Sequence, residues 1–99
     1  MARFDVHVDR SSGALIVDVQ ADYLGSLETR VVAPLSPAAT SRPPIRRLQP
    51  IVQHAGEPHV LYIDLLAATP VWDLGPPLAS VAEHHYEISR ALDLLLTGL

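Results

Sequence analysis

The chain contains no cysteine, no lysine and no asparagine. Without cysteine there is no disulfide, no thiolate zinc site and no cysteine nucleophile. Without lysine, all seven basic residues are Arg. Codon bias of a GC-rich genome accounts for that without any demand for bidentate recognition. Aromatics are scarce, at 5%. No apolar run approaches the roughly 20 residues that span a bilayer, so no membrane association is expected. Residues 1–10 carry Asp5 and Asp9 and no long apolar stretch, so no secretory signal is expected either. Neither a Gly-rich phosphate loop nor a nucleophile elbow is present. Positive charge is also in short supply. The net charge is −4, which excludes a generally basic nucleic-acid binder, because duplex affinity comes mostly from cations that neutralise phosphates.

What is present suffices for one core. Ninety-nine residues, 48% apolar, make a single domain over residues 1–99. A chain of this size buries only about 60–65% of its unfolded surface, so dimerisation is a natural source of further stability. The charge is uneven. Residues 1–50 hold six Arg against five acids, and residues 51–99 hold Arg90 against six. Arg42, Arg46 and Arg47 crowd into one segment and form a basic patch on an acidic protein.

Phe4, Val6 and Val8 alternate with Asp5 and His7, the pattern of a half-buried strand. Asp9–Gly13 reads as a turn. Leu15, Val17 and Val19 then alternate with Ile16, Asp18 and Gln20, so a β-hairpin is expected. Asp22–Thr29 is a connection. Arg30–Leu35 reads as a third strand, with Pro34 placing its end at a sheet edge. Ser36–Ile45, with three prolines, reads as an exposed loop. Leu48–Gln53 and Val60–Leu66 read as strands around a tight turn at Ala55–Pro58. The final stretch changes period: Leu78, Val81, Ala82, His85, Ile88, Leu92, Leu95 and Leu99 recur at helical steps. A helix over about residues 80–97 is expected, with Ser80 and Glu83 as a capping box and Gly98 as its stop. Strands first and one helix last give a mainly β fold, an antiparallel β domain with a C-terminal α-helix.

Few groups promise chemistry. His54 and His59 flank the tight turn and can approach each other. His84 and His85 are adjacent on a helix and point apart, so no metal site is expected. Glu83, Glu87 and Asp93 read as a solvated helix face. Trp72, the only tryptophan, reads as a packing residue. The Arg42–Arg47 patch reads as a solvated loop or as a dock for an acidic partner segment. The C-terminus is the oddest feature. Leu92, Leu94, Leu95, Leu96 and Leu99 put apolar groups around most of the last turns, where a helix against one core should have a polar side. That end is either covered by a second subunit or presented to another protein.

Val17-Asp18-Val19-Gln20-Ala21-Asp22, followed by Arg30-Val31-Val32-Ala33-Pro34-Leu35, resembles the CcdB family of bacterial toxins, which shows Val-Asp-Val-Gln-Ser-Asp and then Arg-x-Val-x-Pro-Leu at the same spacing. Pro50-Ile51-Val52 with Gly56-Glu57, Leu74-Gly75 before the last helix, and the terminal Gly98-Leu99 continue the likeness over nearly the whole chain. The resemblance implies an SH3-like antiparallel β-barrel with a C-terminal helix, forming a homodimer in the bacterial cytoplasm. It implies the toxin of a type II toxin–antitoxin module that binds the DNA gyrase A subunit, traps cleaved DNA and catalyses nothing itself. No cofactor, metal, membrane or direct nucleic-acid contact belongs to that picture. A CcdA-like antitoxin would fold its disordered acidic tail onto Asp9, Arg10, Arg42, Arg46 and Arg47. The family's target contacts fall on Tyr23, Leu24, Asp93, Thr97, Gly98 and Leu99.

The sequence departs from the family at the tip. Thr97-Gly98-Leu99 stands where the family has Trp-Gly-Ile, with the Trp stacked on a target arginine. Loss of such a central aromatic costs about 2–4 kcal/mol, or about 30- to 1000-fold in affinity. Tyr23 replaces a usual aliphatic and Asp93 a usual Asn. Two alternatives follow. One is a non-toxic homologue that keeps antitoxin binding. The other is a MazF-like endoribonuclease, for which Arg3, Arg10 and His7 would have to supply the cationic and acid–base groups.

Overall fold

The computed structural model describes residues 2–99. They form β1 (Asp5–Val8), β2 (Leu15–Asp18), β3 (Thr29–Pro37), β4 (Ile51–His54), β5 (Glu57–Leu61), β6 (Ala67–Pro70), β7 (Ala79–Ser80) and the helix α1 (His85–Thr97). The expected hairpin is there, with Val6 opposite Val17 and Val8 opposite Leu15. All pairings are antiparallel, in the order β4-β5-β3-β2-β1-β7, with β6 also on β3. The sheet curls into a nearly closed barrel. At the remaining gap, the Gln53 N–H on β4 donates to Nε2 of His84, just past β7, at 3.2 Å. Inside lie Phe4, Val6, Val17, Val19, Ala33, Leu35, Val52, Leu61, Ile63 and Val81, closed over by Ile88 and Ala91 of α1.

Several expectations are corrected. The strand at Arg30–Leu35 is longer, and Pro34 is central in the sheet, opposite Ile16. Its carbonyl accepts the Tyr62 N–H, so its N faces the stretch where β6 has ended and β5 has not yet begun. A missing donor costs nothing in that gap. The strand expected at Val60–Leu66 stops at Leu61 and gives way to a 3-10 turn at Ile63–Leu65, and the one at Leu48–Gln53 starts only at Ile51. In the β4–β5 turn, Ala55 and Gly56 both take positive φ (54° and 78°), the two-residue geometry that matches strand twist.

The helix begins at His85, not near residue 80. Ala79–Ser80 pairs with Asp5–Val6 instead, and the Ser80 hydroxyl accepts the Ala82 N–H of a 3-10 turn at Ala82–His84. Edge pairing satisfies the backbone before a helical turn is needed. At the other end Gly98 stops the helix as expected, with φ +76° and its N–H on the Leu94 carbonyl.

The outer face of β1–β3 is not a solvated face. Ile16, Asp18 and Gln20 are buried, and His7 is fully buried. Arg30 and the turn at Asp22–Leu24 enclose Asp18 and Gln20, while the segment Val71–Gly75 lies against Ile16 and His7, held by the Arg10 N–H on the Asp73 carbonyl and by pairing of Asp9 with Leu74. Ile16, Val32 and Leu74 form a small second core there. Trp72, expected to pack, points outward and is 73% exposed.

Candidate functional site

Strand register sorts most of the expected contact residues into two groups. Val8, Leu15, Leu35 and Leu61 stand side by side across four strands. The Asp9–Gly13 turn and the loop between β3 and β4, with Arg42, Arg46 and Arg47, leave the sheet from that end. The connection bearing Tyr23 and Leu24 leaves from the other end, beyond Asp18.

The loop end keeps its cations free. Arg10, Arg42, Arg46 and Arg47 are exposed, and among the described residues none has a carboxylate within ion-pairing distance. Arg47 sits at φ +71°, a left-handed conformation that a non-glycine residue seldom adopts. The Leu48 and Gln49 N–H groups on the Ile45 carbonyl hold the bend, and the Gln49 amide oxygen accepts the Ile45 N–H. Asp9 is spent inside its own turn. It accepts the Ser12 hydroxyl at 2.8 Å and the Ser11 N–H at 3.2 Å. The Ser12 bond first, and contact with Asp73 second, hold its carboxyl below the usual carboxylate range. Asp9 therefore shapes the turn, while Arg10 is the member of that pair presented to solvent.

The opposite end is built on buried charge. Asp18 Oδ2 accepts both Nε and Nη2 of Arg30, at 2.8 and 2.7 Å, and both side chains are essentially inaccessible. Asp18 Oδ1 takes the Gln20 N–H at 3.0 Å. Burial pushes the Asp18 carboxyl up, and the bonds from Arg30 and Gln20 oppose that shift. From this pair the network reaches outward. Gln20 donates to the Leu24 carbonyl and accepts from the Val31 N–H, both at 3.0 Å, and Asp22 accepts the Arg3 N–H at 2.7 Å. The result fixes the 3-10 turn Asp22–Leu24 and leaves Tyr23 94% exposed. Nearby, Leu27 and Trp72 help line a concavity of about 710 Å³ with Pro70 and Val71. Sequence reasoning missed Leu27 and Trp72 as surface groups. Only the prolines that flank Val71–Leu74 hinted that this segment lies outside the regular sheet.

The helix tip stands alone. Thr97 bonds to the Asp93 carbonyl, the Leu99 N–H bonds to Thr97, and Gly98 bonds to Leu94, so the tip's polar groups are satisfied within the helix end. Its apolar groups are not covered: Leu96 is 71% and Leu99 81% exposed, and Asp93 is exposed beside them. No hydrogen bond or ion pair joins this tip to Tyr23 or Leu24 among the described residues.

No group of three or more His, Asp or Glu side chains that could hold a metal ion is assembled among the described residues. His54 and His59 do approach, edge to face, at 5.2 Å between centroids. Burial first, and the nearby His59 second, hold His54 below its ordinary value of 6.5. The three groups expected of a nuclease, His7, Arg3 and Arg10, are each engaged elsewhere. Nδ1 of His7 lies 2.7 Å from the Gly75 carbonyl in a sealed interior, Arg3 donates to the Val19 carbonyl and lies over the Phe4 ring, and Arg10 turns to the Trp72 carbonyl. No helix of the described residues is long and apolar enough to cross a membrane.

The family model described as CcdB protein matches residues 3–98. Among the solved structures that share the fold are two mycobacterial proteins. One is an endoribonuclease in complex with its cognate antitoxin from a mycobacterial species, 21% identical, with a TM-score of 0.80 over 100% of this chain and 96% of that one. The other is the Mycobacterium tuberculosis toxin MazF-mt6, 17% identical, with a TM-score of 0.69 over 92% of this chain and 94% of that one. At such identities the likeness establishes the barrel and helix and nothing about chemistry.

Proposed function

The chain belongs to the CcdB family, and on that premise we propose that it is the toxin of a toxin–antitoxin pair that acts by binding rather than by catalysis. The target is the DNA gyrase A subunit, held by a homodimer of this chain in the cytoplasm. Tyr23, Leu24, Asp93, Thr97, Gly98 and Leu99 make the target surface, and Arg10, Arg42, Arg46 and Arg47 receive the acidic tail of a CcdA-like antitoxin, with Asp9 shaping the turn beside them. The observation that carries the proposal is the bare helix tip. Leu96 and Leu99 stay in water on a helix whose Ile88 and Ala91 are fully buried, and an apolar end left open on a well-packed domain is characteristic of a protein contact. His7 is sealed in the interior and Arg3 is engaged by the Val19 carbonyl and the Phe4 ring, which favours binding over RNA cleavage by these groups.

The test is direct. Purified protein, supercoiled DNA and gyrase from the source organism are expected to yield trapped cleaved DNA. Removal of Thr97–Leu99 abolishes the product, and Thr97→Trp raises it. Antitoxin reverses it. Cleavage of naked RNA without gyrase would overturn the proposal. Thr97 itself favours one second reading, a homologue that has kept its antitoxin and lost its killing. Under that reading, expression without antitoxin leaves host growth unchanged.

A further inference from the structure

A cleft of about 340 Å³ lies between the first turns of α1 and the start of β4, lined by Arg47, Pro50, Ile51, Tyr86, Glu87 and Arg90. Its floor is apolar: Pro50, the exposed Ile51 and the Tyr86 ring, which is 61% exposed. Its rim carries two cations. Arg90 Nη1 donates to the Tyr86 hydroxyl at 2.8 Å, with the guanidinium carbon 5.6 Å from the ring centroid. This is a helical i, i+4 arrangement that holds the charge in place without neutralising it. Arg47 comes from the facing loop in the left-handed backbone described above. Glycine takes that conformation freely, so arginine there carries a strain that the loop's own bonds must offset. Among the described residues, neither Arg47 nor Arg90 has a carboxylate within 4.0 Å.

We infer that this cleft anchors an acidic partner peptide: one apolar side chain of the peptide seats on Pro50, Ile51 and Tyr86 while flanking carboxylates pair with Arg47 and Arg90. The inference rests on the antitoxin reading above and extends it to α1, which that reading leaves out. Charge selects the occupant. The chain is acidic overall, yet this cleft presents two unpaired guanidiniums against Glu87 alone, so a carboxylate-bearing segment gains here what it would lose elsewhere on the surface. The volume lies near the lower end of the range for ligand pockets, about 300–1,000 Å³, which suits one anchoring side chain. Nucleic acid fits less well. The protein's net charge repels it, the floor is mostly aliphatic, and Arg90 already engages the Tyr86 ring.

The probe is a fluorescein-labelled peptide of the acidic tail of the cognate antitoxin that the proposed function requires, titrated against the intact protein. Arg90→Gln and Arg47→Gly are each expected to weaken binding about tenfold. Arg47→Gly should leave the unfolding midpoint unchanged or raise it, because glycine relieves the backbone. Ile51→Thr, and a tail peptide whose apolar residues are changed to Ser, should also lose affinity, and their losses should persist in high salt. The losses from the two Arg changes should shrink there. Unchanged affinity in Arg47→Gly and Arg90→Gln, with a loss in the Arg42→Gln, Arg46→Gln double variant, overturns the cleft and leaves the antitoxin reading intact. No binding of the tail by the unaltered protein overturns both. Dissociation of a dimer by Arg90→Gln or Ile51→Thr, or competition for the cleft by a labelled RNA oligomer, also overturns it.

Discussion

Arg30 and Arg47 are the same residue at opposite ends of one sheet, put to opposite uses. Arg30 is 1% exposed and rests on Asp18 at 2.7 Å. Arg47 lies in water, in a left-handed bend, with no carboxylate near it. Around Arg30 almost every polar group is spent internally, and the product is a rigid turn that displays Tyr23 and Leu24. Around Arg47 the prolines keep the chain out of the sheet, and its charges remain available. Under the proposed function, one end supports a contact surface by consuming charge, and the other makes one by withholding it. Charge on this molecule therefore indicates binding only where no internal partner claims it.

The sharpest way to break that contrast is to remove a guanidinium at each end. Arg30→Met leaves the Asp18 carboxylate buried and unpaired, and should cost about 3–5 kcal/mol in urea unfolding. Arg46→Ala should stay within about 0.5 kcal/mol. Replacement of both partners, Asp18→Leu with Arg30→Met, should recover much of the loss, since an apolar pair of similar volume needs no compensating charge. Equal, small effects at both ends would mean that Arg30 is not structural.

The same contrast runs along the helix. Ile88→Ala opens a cavity under a fully buried side chain and should cost about 2–4 kcal/mol. Removal of Thr97–Leu99 takes away a left-handed cap and one exposed leucine, and should cost less than about 1 kcal/mol while eliminating any effect on gyrase. A large fall in melting temperature on truncation would place this end inside the fold.

Much of this architecture was legible in the chain, and the failures share one cause. Period-two and helical alternation placed the first hairpin, the long central strand and the terminal helix, because each buries a regular face. Gly98 marked the helix stop because few other residues tolerate its conformation. What periodicity missed was coverage of a second face. His7, Asp18 and Gln20 alternate as solvent-facing residues should, yet Arg30 and the Asp22–Leu24 turn enclose Asp18 and Gln20, and the Val71–Gly75 segment lies against His7. That segment carries no regular pattern that could announce where it packs. Trp72 was misread for the same reason: an apolar residue in an irregular segment gives no phase. For the proposed antitoxin surface, Arg42, Arg46 and Arg47 were visible as a cluster. Arg90 was invisible as their companion, because only the fold brings α1 to the start of β4.

The smallest effect concerns the hairpin beside that loop. His54 is held below its ordinary 6.5 by burial and by the adjacent His59, so the folded chain resists a proton that the unfolded chain accepts. A depressed folded value means that this contribution is present above pH 6.5 and is lost as the pH falls through the histidine range. Stability measured by urea unfolding should therefore decline between pH 7.5 and 5.5, and His54→Gln should flatten part of that decline. Asp9, also held low, acts in the same sense but only near and below the carboxylate value of 3.8, so the two are separable on the pH axis. If His54→Gln leaves the decline unchanged, the imidazole pair is a neighbourly contact with no hold on the β4–β5 hairpin. The loop end would then owe its shape to backbone turns alone.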